Sequence, residues 1–295
     1  MVKHLITGGC SFSAGGEYTG WTGALSNHMK TINSEITCNH TGYQSQGQEM
    51  IQKKVMLALT EAFTLGYKPE DILVVMMWSG TCRKAWYIDN HYIINQIVDY
   101  FPKFVGGMSR QFLDMKDKVV GTPKYFSTAL SDGFEYNPDG GWFFTVNGSE
   151  CQIEFVQQHY LLDKELNGVG KVHTSLENII MLQNFCDLHK VPMIQQFFMD
   201  SVYEDIEDKK NHQIINYLYN QLNFNNMIKI GMFEYLHQFL NVSKDKVNLV
   251  THTERKKLSG DTTIFDNDGF HPGVAGHQLW VDTILIPFLK DKNII

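Results

Sequence analysis

Residues 72–78 read Ile-Leu-Val-Val-Met-Met-Trp, seven apolar side chains in a row behind the stop signal Pro69-Glu70-Asp71. A run of this length without polar alternation suits a strand covered on both faces, at the centre of a parallel sheet. Parallel strands need crossover helices, and the flanking sequence supplies them. Upstream, 48–65 places Ile51, Val55, Ala58, Leu59 and Ala62 at steps of three and four, the period of one helix face. Before that helix, Val2–Thr7 reads as a buried strand running into Gly8-Gly9, and Glu35–His40 as a second strand closed by the turn residues Asn39 and Gly42. Downstream, Thr174-x-x-Glu177 has the pattern of a capping box opening a helix to about His189, and Val191–Phe198 follows as another buried strand. Residues 211–240 read as helix in two pieces broken near Asn223–Asn226, Val247–Thr251 as a short last strand and Gly273–Leu289 as the closing helix. Strands alternating with helices predict an α/β fold, a three-layer flavodoxin-like parallel sheet.

The middle has a different texture. From Lys84 to Val172 the chain is rich in aromatics, glycine and turn signals. Phe134–Asp139, Gly140-Gly141 and Trp142–Val146 followed by Asn147-Gly148 predict a β-hairpin, and Asn90–Phe101 and Glu154–Leu162 predict helices. No Pro/Ser-rich linker bounds the stretch. It reads as an insertion, 84–173, after the third strand of a single domain spanning 1–295.

Composition narrows the function classes. At 295 residues, with 43% hydrophobic and 19% charged side chains, the chain can bury a large core. Its net charge is −7 and its longest basic run is Arg255-Lys256-Lys257, which argues against nucleic acid as a partner because phosphate neutralisation needs a basic stripe. No apolar run approaches the roughly 18–20 residues of a membrane span, and the N-terminus does not resemble a signal peptide. The expectation is a cytoplasmic protein, with a virion or surface assembly left open. The cysteines Cys10, Cys38, Cys82, Cys151 and Cys186 are odd in number and scattered, so reduced and mostly buried thiols are expected.

In such a sheet the site lies beyond the carboxyl ends of the strands. Ser11 follows the first strand, Asn39–Gly47 the second and Trp78–Arg83 the third. The chain carries Gly8-Gly9-Cys10-Ser11-Phe12-Ser13 at one end and Asp268-Gly269-Phe270-His271-Pro272 at the other. A serine nucleophile needs a base to take its proton and a carboxylate to orient that base, and these two blocks contain all three. His277, beyond the second block, reads as solvent-facing or packed on the closing helix. No His-Glu-x-x-His, phosphate-loop or Gly-x-Gly-x-x-Gly pattern is present, so no metal or cofactor is expected.

Together the terminal blocks resemble those of the GDSL/SGNH hydrolases, over roughly 1–83 and 174–295. The resemblance implies an SGNH-type sheet and hydrolysis of acyl, acetyl or lipid esters, often on carbohydrates. An O-acetyl or short-acyl ester is the expected substrate. By the same resemblance Ser11 is the nucleophile, His271 its general base and Asp268 the residue orienting His271. The family's oxyanion hole takes the nucleophile's own N–H, a glycine after strand two and an asparagine after strand three. Gly47, in Ser45-Gln46-Gly47-Gln48, is the choice for the second donor, with Gly42 its close competitor.

The chain departs from the pattern in two places. Cys10 stands where the family usually has Asp, and Trp78-Ser79-Gly80-Thr81-Cys82-Arg83 holds no asparagine. Cys82 falls at the asparagine's place if Gly80-Thr81 aligns with the family's Gly-Thr, and a thiol is a weaker donor than an amide. Losing one oxyanion donor costs about 2.7–4 kcal/mol of transition-state stabilisation. Ser79, Thr81 and Arg83 are the other candidates for that place. Arg83 could also hold an anionic substrate group in its planar fork, and Gly42 and Ser79 complete the substrate-binding set. The missing asparagine and the insertion support a second expectation: a catalytically weak SGNH-like domain that binds a glycan or protein, as a homo-oligomer or within a larger assembly through 84–173.

Overall fold

The computed structural model describes residues 1–13, 20–42, 47–81, 168–243, 246–247, 250–259, 263–266 and 271–295, with the strands at 83–89, 134–137 and 141–147 described as backbone. The N-terminal part runs β1 (His4–Gly9), α1 (Trp21–Ile32), β2 (Thr37–His40), α2 (Gln48–Thr64) and β3 (Ile72–Trp78). After the strands β4 (Arg83–Asp89), β5 (Phe134–Asn137) and β6 (Gly141–Asn147) come α3 (Val169–His189), β7 (Met193–Phe197), α4 (Asp200–Lys209), α5 (Gln213–Tyr219), β8 (Met227–Gly231) and α6 (Met232–Phe239). The chain ends with α7 (His252–Ser259) and α8 (Val274–Trp280), which continues through a π-helical turn at Val281–Leu285 into α9 (Ile286–Asp291).

β2-β1-β3-β7-β8 form one sheet, and every pairing in it is parallel. β1, β3 and β7 are buried along their whole length, as the unbroken apolar run at 72–78 requires. α2, α3 and α5 pack together on one side of the sheet, and α1, α6 and α8 on the other. This is the flavodoxin-like strand order, and its crossovers change direction between β1 and β3. Within 83–147 the described residues form a second, antiparallel sheet of order β4-β6-β5. β5 and β6 pair from Phe134↔Phe144 to Asn137↔Gly141, the hairpin expected there. The helices expected at Asn90–Phe101 and Glu154–Leu162 lie outside the described residues. Among the described residues no helix is long and apolar enough to cross a membrane.

Three local expectations are corrected. Residues 227–231, expected as helix, form β8 against β7, with Met227 and Ile228 buried and Lys229 exposed at the sheet edge. A stretch of five residues has too few turns to show a helical period, and the open edge of β7 decides it. Of Val247–Thr251, the described residues lie in no strand. Val250 N–H donates back to Lys246 O, and Thr251 caps α7. The capping box sits here rather than at Thr174. Glu254 N–H donates to Thr251 Oγ1 at 3.2 Å, while Thr251 N–H and its hydroxyl donate to Glu254 Oε2 at 2.7 and 2.8 Å. α3 instead starts at Val169, behind Gly168 in the left-handed conformation (φ 66°). Thr174 therefore lies inside the helix, and Glu177 pairs with His173 Nδ1 at 3.3 Å.

Thr251→Ala is expected to lower unfolding stability by about 1 kcal/mol, and Thr174→Ala by less than about 0.5 kcal/mol. Denaturant unfolding of the two variants checks the assignment.

Candidate active site

β1 ends in glycine because the chain folds back over it. A Cβ on Gly8 would lie 2.6 Å from Val55 Cγ2 and 2.8 Å from Met76 Cε. One on Gly9 would overlap Ser13 Oγ. The fold-back is a tight turn closed by Ser13 N–H donating to Cys10 O at 2.8 Å, with Ser11 and Phe12 at its corner. Phe12 points inward and meets Phe198 and Phe233 edge-on, with ring centroids 5.0 and 6.3 Å away. Ser11 is left half-buried at the carboxyl edge of the sheet.

His271 arrives there from the opposite end of the chain. Phe265 and Pro272 form an antiparallel bridge, Asp266 N–H donates to His271 O at 2.8 Å, and Gly273 N–H donates to Ile264 O at 2.9 Å. Side chains on Gly273 or Gly276 would overlap the carbonyls of Thr263 and Ile264, so both glycines let the start of α8 lie flat on that segment. The result is a contact between residues 260 apart in sequence: His271 Nε2 lies 2.9 Å from Ser11 Oγ. With the hydroxyl donating, the imidazole carries its proton on Nδ1. The His271 ring also packs 5.3 Å from that of Phe12. Asp268 lies outside the described residues; the residues on either side of that stretch, Asp266 and His271, are the bonded pair above.

The remaining candidates are placed unequally. Gly47 caps α2 in extended conformation and is buried. Gly42 packs against the Ser11 turn, since a Cβ there would lie 2.8 Å from Ser13 Cβ, so its lack of a side chain is needed for that approach. Ser79, a substrate-binding candidate, is sealed at 0% exposure. Its carbonyl accepts from Gln48 Nε2 at 2.7 Å and its hydroxyl has no partner among the described residues. Thr81 is buried and its hydroxyl donates to Asp205 Oδ2 at 2.6 Å. Cys82 and the Arg83 side chain lie outside the described residues. Of the cysteines, Cys10 and Cys186 are buried thiols, and Cys38 is a half-buried one that accepts from the Ser26 hydroxyl at 2.7 Å.

Several residues of this edge carry no motif. His277 is buried, and that burial, followed by repulsion from His271, pushes its titration down to about 4, so it is neutral beside His271 at neutral pH. Gln48 joins the start of α2 to the end of β3 and was marked only by following Gly47. Behind Phe233, Arg255 Nε donates to His237 Nε2 at 2.8 Å, which fixes His237 as donor from Nδ1 to Phe233 O at 2.7 Å.

Asp200 and Glu234 brace the two strand-to-helix junctions, β7 to α4 and β8 to α6, that carry Phe198 and Phe233. Gly231 N–H donates to Asp200 Oδ1 at 2.5 Å and Asp200 N–H donates to Glu234 Oε2 at 2.8 Å, so each carboxylate caps a helix start on the neighbouring junction. Phe233 N–H donating to Phe198 O at 3.0 Å ties the same junctions together. Burial first, and then the charge of Asp200, pushes the Glu234 carboxyl up to about 7, despite the backbone N–H bond that favours its ionised form.

No family model, curated protein or solved structure matches the chain.

A carboxyl that titrates higher in the folded than in the unfolded chain binds more protons when folded, so it lowers stability as pH rises through that interval. Glu234 contributes such a decline between its ordinary value of 4.5 and about 7. Glu234→Gln, which keeps an acceptor for Asp200 N–H, is expected to flatten the stability profile over that range. Urea unfolding at a series of pH values checks it.

Proposed function

We propose that the chain is a serine hydrolase of carboxylic esters. The observation that carries this reading is the 2.9 Å approach of His271 Nε2 to Ser11 Oγ at the carboxyl edge of the sheet. In this mechanism His271 takes the Ser11 proton as Oγ attacks the ester carbonyl, and returns it to the leaving alkoxide as the tetrahedral intermediate collapses. A water, deprotonated by the same imidazole, then releases the acyl group from Ser11 and restores the hydroxyl. Asp268 orients the imidazole through Nδ1–H.

The oxyanion charge falls to the N–H of Ser11 and of Gly47. Gly47, at the start of a 17-residue helix, also brings the positive end of the helix dipole. With Ser79 sealed and Thr81 engaged by Asp205, the third donor falls to Cys82 or Arg83. The substrate class that fits the resemblance is a short-acyl or O-acetyl ester, carried on a carbohydrate, and the strands between β3 and α3 belong to an insertion beside the site. No cofactor enters the scheme.

A fluorophosphonate probe tests it, because the phosphonyl group is captured only by an activated serine. The wild type is expected to gain one probe mass on Ser11 by intact-mass measurement. Ser11→Ala should abolish the adduct, and His271→Ala should slow it on the order of 10³-fold or more. A folded wild type that takes no adduct rejects the mechanism and leaves the chain as a binding domain.

A further inference from the structure

Ser13, two residues past Ser11, is the point at which the turn is gripped. It is 1% exposed and lies against Gly9 and Gly42, each too close to accept a side chain. Its hydroxyl accepts a hydrogen bond from Trp21 Nε1–H at 2.9 Å. Trp21 is fully sealed and is the first residue of α1. α1 in turn packs against α8, the helix that begins just after His271. One helix therefore touches both halves of the pair, the Ser11 turn through Trp21 and the His271 segment through α8. Neither terminal motif contains Trp21.

We propose that the Trp21–Ser13 hydrogen bond is a positioning element that sets Ser11 Oγ against His271. This deepens the hydrolase reading and rests on it. Trp21 touches no reacting atom. It acts through Ser13, whose N–H closes the turn on Cys10 O and so fixes the two residues between them. The indole N–H and the hydroxyl are both cut off from water, so losing either partner strands the other and leaves the turn free to shift. A shift on the order of 1 Å at a nucleophile costs about 100-fold in rate.

The experiment compares Trp21→Phe, Ser13→Ala and the double variant with wild type, after melting curves confirm that each is folded. Two quantities are read: the second-order rate of fluorophosphonate labelling at Ser11, and the ¹⁵N resonance of the His271 imidazole, which reports its bond to Ser11 whether or not the serine reacts. Each single variant is expected to label about 10- to 100-fold more slowly. The double variant should be no slower than the worse single, because both changes delete the same bond. The His271 resonance should move in all three. A merely structural role would lower the melting temperature and leave labelling of the folded protein unchanged. Single-variant rates within twofold of wild type, or effects that multiply in the double variant, overturn the proposal. If the wild type does not label, the hydrolase reading fails on its own, and an unmoved His271 resonance in Trp21→Phe overturns the positioning role separately. Ser13→Ala, which removes only an oxygen, decides the matter if Trp21→Phe does not fold.

Discussion

β1 and β3 pair from His4↔Ile72 to Gly9↔Met77, both sealed on both faces. The connection from β1 leads to β2 on one side, and the connection from β3 leads to β7 on the other. The crossovers from the two strands therefore run in opposite directions, and that is the place at which sheets of this kind bind their ligands. This pairing decides the geometry of the whole edge. Gly9 comes so close to Met77 that a Cβ would lie 2.9 Å from the Met77 carbonyl, and the chain beyond it folds back so that Ser13 fills the space on its other side. The Ser11 turn packs back onto Gly9, and His271 is brought to it by the bridge at Phe265–Pro272.

A sheet buried on both faces leaves no water for its polar side chains, and β7 solves this with tryptophan. Gln195 and Gln196 are consecutive, so they point to opposite faces. Gln195 Oε1 accepts from Trp78 Nε1 at 2.8 Å, and Gln196 Oε1 accepts from Trp280 Nε1 at 2.7 Å. A slip of β7 by one residue would turn both glutamines away from their indoles, so these bonds oppose any other register. The amide Nε2 of each glutamine has no partner among the described residues, and a buried amide left unpaired costs about 1–3 kcal/mol. The second bond joins the sheet to α8, and with it the segment that holds His271.

Periodicity made most of the fold legible. The run at 72–78 and the three-and-four spacing of Ile51, Val55, Ala58, Leu59 and Ala62 appear as β3 and the buried face of α2. β8 was not legible, because five residues carry no distinguishing period and its partner edge lies far away in sequence. The two Thr-x-x-Glu patterns are equal as strings; only one has a chain that enters its helix at the threonine. Of the site, Ser11 and His271 were visible through motifs whose residue types are those of acyl-transfer chemistry. Trp21, Ser13, Gln48 and Glu234 were not singled out. Each acts by contact with a residue remote in sequence or across a turn, and its identity alone does not distinguish it from ordinary core.

The sequence by itself determined an α/β chain with a central buried strand and a serine and a histidine at its two extremes, because hydrophobic period and residue chemistry are local properties. Only the tertiary structure decided that Ser11 and His271 meet, that Ser79 is sealed away, and that a tryptophan from α1 grips the Ser11 turn. Those outcomes depend on which atoms occupy the space left by Gly9, Gly42 and Gly273. Excluded volume between distant segments is settled only when the chain is packed.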